Sequence, residues 1–162
     1  MNIIKSKTIL AFLLCFSGLE LFFHQNIAFA GRGDLPLENL SMIKTLGLKV
    51  DKAKCQLGLN EDEISSSVYS YLRDSNIPID TAQPSNHILN ISIACESNEL
   101  ISIMSIDVQV NQFINLDGID TKVITYDDGR YGTVETSPFS QVEKESIAEL
   151  IRQFVSDYNS VK

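Results

Sequence analysis

Side chains of three kinds in this sequence could do chemistry. They are His87, the carboxylates at Asp117, Asp120, Asp127 and Asp128, and the cysteines Cys15, Cys55 and Cys95. A serine-type hydrolase needs a nucleophile, a base and an orienting carboxylate, and beyond the first thirty residues His87 is the one imidazole available as the base. It heads an alternating segment and continues the register of Leu89, Ile91 and Ile93, where a strand-end histidine is an ordinary core residue. No Gly-x-Ser-x-Gly elbow accompanies it. The carboxylates could serve glycoside hydrolysis or hold calcium with Asn115, Asp117 and Asp120. The twelve-residue calcium-loop pattern and its terminal Glu are absent, however, and the Asp117-Gly118 and Asp128-Gly129 dipeptides read as hairpin turns. No catalytic residue, metal or cofactor is therefore assigned.

The cysteines depend on the compartment. Lys5 and Lys7, an apolar run over residues 9–16 and Ala28-Phe29-Ala30 together read as a secretory signal cleaved before Gly31. Ser17, Gly18 and Glu20 break the run short of the roughly 20 apolar residues that span a bilayer, so no transmembrane anchor is expected after processing. Cys15 leaves with the signal. The remaining chain has 132 residues and a net charge of −9, enough for one core without metals. In an oxidising space Cys55 and Cys95 are expected to form a disulfide, the alternative being two buried small apolar side chains. Periplasm or extracellular medium is the expected location.

The acidic balance, −8 for the whole chain, argues against a nucleic-acid partner, because carboxylates repel a phosphate backbone. Lys44, Lys49, Lys52 and Lys54 form a basic cluster, read as a solvated strand edge protected against aggregation in preference to a site for an anionic partner. Arg32-Gly33-Asp34 is taken as a chance tripeptide, and the sequon at Asn90 lies inside a strand, where it is a poor acceptor.

The elements that must position these groups follow from periodicity. Residues 31–42 read as a flexible lead-in to one domain over residues 43–162. Leu46, Leu48 and Val50 mark a half-buried strand. Asn60 as cap and Glu63 at the capping-box position start a helix whose stripe is Ile64, Val68, Tyr71 and Leu72 and which stops near Ser75-Asn76. Residues 87–96 alternate, and Ser97-Asn98-Glu99 turns the chain into a second alternating run through Met104, Ile106, Val108 and Val110. Residues 121–126 supply a further strand. A last helix begins near Ser137-Pro138 or Ser140, buries Ile147, Leu150, Ile151, Phe154 and Tyr158, and carries Glu143, Glu149, Arg152 and Asp157 on its solvated side. The expected architecture is α+β in the order β-α-β-β-β-α, a mostly antiparallel sheet of about four strands with two helices on one face.

Gly58-Leu59-Asn60-Glu61-Asp62 entering a helix that ends Tyr71-Leu72-Arg73 and Ile77-Pro78 resembles a family of small exported bacterial α+β domains. Thr125-Tyr126, Gly132-Thr133 and the closing Phe154, Asp157, Tyr158 and Val161 are similar to its later signature, with Tyr126 where the family has Trp. The resemblance spans nearly all of residues 43–161 and implies a fold and an exported habit, with no activity attached.

The functional expectation is a non-catalytic binding or assembly module of the cell envelope, with another envelope protein as partner. Its contact surface would include Ile101, Ile103 and Phe113, which share the face opposite Met104 and Ile106, together with Tyr126. A bulge returning Ile101 and Ile103 to the core is the competing arrangement. The alternative function is a small hydrolase or ligand-modifying enzyme using His87, Asp107 or Asp120 in a sheet-face pocket, and a concavity joining His87 to two carboxylates would distinguish it.

Overall fold

The structure is a computed structural model that describes residues 27–30, 35–53, 55, 57–80, 85–97, 101–135 and 139–162. The proposed signal sequence up to residue 26, the Arg32-Gly33-Asp34 tripeptide, Lys54, the turn residues 98–99 and the Ser137-Pro138 cap lie outside the described residues.

Five strands form one mixed sheet in the order β1-β5-β4-β3-β2. They are β1 (Ile27–Ala30), β2 (Leu46–Ala53), β3 (His87–Ser97), β4 (Ile101–Leu116) and β5 (Ile119–Glu135), with helices α1 (Glu61–Asp74) and α2 (Phe139–Ser160). The α+β class, the element order from β2 onward and the pair of helices on one face agree with the periodicity. β1, at the far edge opposite Gly129–Gly132, adds a short strand. Its four residues fall within the proposed signal, so cleavage before Gly31 would remove it and leave β5 at that edge. The β2–β3 pair is parallel while the others are antiparallel, because α1 carries the chain back across the sheet before β3 begins, as a crossover connection requires.

Residues 35–43 pack against the domain. A 3-10 turn at Leu37–Met42 buries Leu40 completely, and Ile43 joins the same core. Burial of two such side chains contributes on the order of 3 to 6 kcal/mol, which ties this segment to the domain.

α1 starts as its sequence dictates. The Asn60 side chain accepts from the Glu63 N–H at 2.9 Å, and the Glu63 carboxylate accepts from the Asn60 N–H at 2.9 Å, satisfying two donors that the first turn leaves free. Ile64, Val68 and Leu72 are buried, whereas Tyr71 stays exposed at the rim between the helices. Asn76 closes the helix at φ 59°, as expected.

Asp117 and Gly118, at φ 52° and 86°, make the two-residue turn joining β4 to β5. Asp128-Gly129 does not turn: β5 runs on without a break to Glu135, because β4 is long enough to pair with it throughout. Gly129 serves close approach instead. A Cβ there would sit 2.7 Å from the Asp107 carboxylate and 3.1 Å from the Ile106 carbonyl, so only glycine lets Asp107 lie over the β5 backbone.

Candidate functional site

Three regions gather the polar and exposed groups. The first is the loop between β2 and α1, stapled by the Cys55–Cys95 disulfide with a Cα–Cα distance of 4.9 Å. Beside it Lys52 and Glu143 form a buried ion pair at 2.9 Å, their side chains 6% and 0% exposed. The Lys52 ammonium also donates to the carbonyls of Leu57 and Leu59, and the Leu59 N–H donates to the Glu143 carboxylate at 2.7 Å. Gly58 is held at φ +79°, and a Cβ added to it would collide with the Glu143 carboxylate. This corrects two expectations. Lys52 is no solvated edge residue, and Glu143 does not lie on the wet side of α2. The signal was present: Glu143 precedes Ile147, Leu150 and Phe154 by 4, 7 and 11 residues, which places it on the core stripe. Asp157 lies on the same stripe and is buried, accepting from Tyr126 Oη at 3.2 Å and from the Gln153 amide at 3.0 Å.

His87 begins β3 and is buried, with Nε2 making no hydrogen bond. It lines an open depression of about 420 Å³ with Lys44, Asp80 and Ser85. Ser85 Oγ donates to the Thr45 carbonyl at 2.6 Å and accepts from the His87 N–H at 3.1 Å, so the serine is engaged with backbone. Asp107 and Asp120 pair across the sheet at Gly129 and Asn115, eight residues apart along β4, roughly 26 Å at the rise of a strand. His87 pairs with Gln112, roughly 17 Å along the same strand from Asp107. The residues of the enzymatic alternative thus do not converge. Groups of three or more potential metal ligands are absent among the described residues.

Burial is the leading cause of shifted protonation at two groups. Burial lowers the His87 pKa below its ordinary 6.5. Burial also raises the Asp107 pKa, opposed by the Ser105 hydrogen bond and reinforced by Asp127. For His87 the sign is direct: as pH falls past 6.5 the unfolded chain takes up a proton that the folded chain refuses, so stability declines until the lowered folded value is passed. Urea unfolding of the wild type and of His87→Gln between pH 7.5 and 5 is expected to show the steeper loss in the wild type. Parallel curves would remove the effect of burial.

The third region is the β4–β5 hairpin. β4 carries no extra residue, so Ile101, Ile103 and Phe113 share the helix-free face and all three are exposed, although burial alternates only as far as Val110 and the adjacent Asn111 is also buried. The bulge lies elsewhere. Val110 pairs with Tyr126 and Asn111 with Ile124, leaving Thr125 as the extra residue on β5, its hydroxyl donating to the Val110 carbonyl at 3.2 Å. Tyr126 consequently points the other way. It is 2% exposed and packs edge-on against Phe154 at 5.3 Å, so it does not belong to the contact surface. Ile103 and Phe113 are ten residues apart, roughly 33 Å, and Ser105, Asp107 and Gln109 occupy the face between them. The helix-free face therefore carries two apolar ends and a polar middle. Beyond Gln112, where the β3 pairing ends, the hairpin continues as two strands only, and Phe113, Leu116 and Ile119 expose their side chains there, Ile119 by 69%, with exposed Ile124 just inside that limit opposite Asn111.

No helix among the described residues is long and apolar enough to cross a membrane. No family model matches the sequence, and no curated protein does. Among solved structures, a dodecamer of a single-substitution PelC variant from Paraburkholderia phytofirmans is similar over 78% of this chain and 95% of its own, at 12% identity and a TM-score of 0.45. The hypothetical protein CT253 from Chlamydia trachomatis is similar over 72% of this chain and 99% of its own, at 10% identity and a TM-score of 0.40. An uncharacterised protein gives 13% identity and a TM-score of 0.32, covering 78% and 92%. These are distant likenesses, and none supplies a function for this chain.

Proposed function

We propose that this chain is an exported, non-catalytic binding or assembly module of the cell envelope, a member of the small exported family its sequence resembles, and that it meets another envelope protein through the free end of the β4–β5 hairpin. The observation that carries this reading is the exposure of Phe113, Leu116 and Ile119 on a ribbon of two strands, with Ile124 exposed at its base. Two strands alone are marginally stable in water, and large apolar side chains clustered at such an end gain by being covered. The disulfide supports export, since such bonds persist in oxidising compartments. The separation of His87, Asp107 and Asp120 weighs against the enzymatic alternative.

A photo-crosslinking residue placed at Ile119, with a second at Lys49 on the polar part of the sheet as control, tests the reading in the native host. A discrete adduct from position 119 alone, formed in the extracytoplasmic fraction, is expected. Equal labelling from both positions, or a chain that stays in the cytoplasm with both thiols reduced, would overturn it.

A further inference from the structure

A narrow slot of about 170 Å³ runs between α1 and α2 on the side of the helices away from the sheet. Ile64 and Val68 from one helix and Ile147 and Ile151 from the other form its floor, while Tyr71 stands exposed at its rim. Its charge sets it apart. Lys144 and Arg152 line it, and no carboxylate does, in a chain whose net charge is −8. Both cations are solvent-exposed, and neither lies within ion-pair distance of a carboxylate among the described residues, although Arg152 is near enough to help lower the pKa of Glu149. They are eight residues apart on one helix, roughly 12 Å, and so flank the slot along its length.

We propose that this slot binds a single-chain anionic amphiphile of the fatty-acid type, the alkyl chain lying between the helices and the carboxylate resting against Lys144 or Arg152. Size selects the chain: the slot is smaller than the roughly 300 Å³ at which sites for drug-sized ligands begin, so it suits an unbranched chain better than a ring system. Charge selects the head, because an apolar channel rimmed by cations rewards an anion and repels an ammonium. The site is independent of the hairpin surface, and its test does not depend on export.

Titration of the folded, oxidised protein with decanoate and with decyltrimethylammonium, both below micelle formation and followed by calorimetry, decides the matter. Saturable 1:1 binding of decanoate, at least tenfold tighter than the ammonium and weakening with added salt, is expected. Lys144→Gln and Arg152→Gln should each weaken decanoate by up to about fivefold, the range of an exposed charge pair. Ala148→Phe, which projects a ring into the slot from an exposed helical position, should weaken it at least tenfold. Should that variant fail to fold, the Lys144→Gln/Arg152→Gln double variant carries the test. Equal binding of the two amphiphiles, binding of neither, or decanoate binding that is indifferent to these changes overturns the proposal. So does an acidic amphipathic helical peptide that saturates the slot and is not displaced by decanoate.

Discussion

Replacing Glu143 with alanine is expected to lower the unfolding free energy by about 3 to 5 kcal/mol, the range for removing one partner of a buried ion pair. The loss has three sources. The Lys52 ammonium, 6% exposed, would keep its charge without a counter-charge, the Leu59 N–H would lose its acceptor, and Gly58 would face a void where the carboxylate now sits. Glu143→Gln retains an oxygen for Leu59 and keeps the shape, so it should lose less than alanine while still leaving the cation unbalanced. Urea unfolding at neutral pH, read as a shift in midpoint at unchanged slope, measures both. A loss under about 1 kcal/mol for Glu143→Ala would mean that water reaches Lys52 freely and that the pair is not the clamp described above.

Removal of the Cys55–Cys95 bridge has an expected effect of similar size. The bond joins residues 40 apart, and closing such a loop restricts the unfolded chain by about 4 kcal/mol in the chain-entropy treatment. A Cys55→Ala/Cys95→Ala protein compared with the oxidised wild type should approach that loss. The two clamps hold the same short loop, since Cys55 lies two residues before Leu57 and three before Gly58, so their losses should not add. In the cysteine-free background Glu143→Ala is expected to lose less than it does in the oxidised protein. Strict additivity would show that the loop is held at two independent points. Alkylation of two thiols in unreduced, denatured protein from the native host would remove the bridge altogether.

Both effects converge on residues 55–60, where a crossover connection must leave the end of β2 and enter α1. Asn60 and Glu63 cap the helix locally, but the direction of entry is fixed by contacts from distant parts of the chain: Cys95 on β3 and Glu143 on α2. Gly58 is the residue type that this convergence requires, with its positive φ and no room for a Cβ.

What could be read from the residues in order was whatever depends on near neighbours. Period-two alternation gave β3 and the first part of β4, and the 3.6-residue stripe gave both helices. The capping box placed the start of α1, and Asp117-Gly118 placed the hairpin turn. Two cysteines in a chain with an export-like start were enough to pair Cys55 with Cys95. Parity put Ile101, Ile103 and Phe113 on one face but left a competing bulge open, and the pairing of β4, which carries no extra residue, is what keeps them together.

Other features answer to partners far away in sequence. Asp128-Gly129 has the composition of a turn, yet the length of β4 holds it in a strand, where glycine makes room for Asp107. The extra residue that reverses the facing of β5 is Thr125, and its position is defined only against β4, which is why Tyr126 went to the core unannounced. Lys52 and Glu143 are each commonplace surface types, and they are buried because the fold brings them within 2.9 Å of one another. Local sequence thus determined both helices, the greater part of β2 to β4 and which cysteines join. Tertiary packing decided which charges are dry and which apolar groups stay wet, because burial is a property of the neighbours a side chain meets and not of the side chain itself.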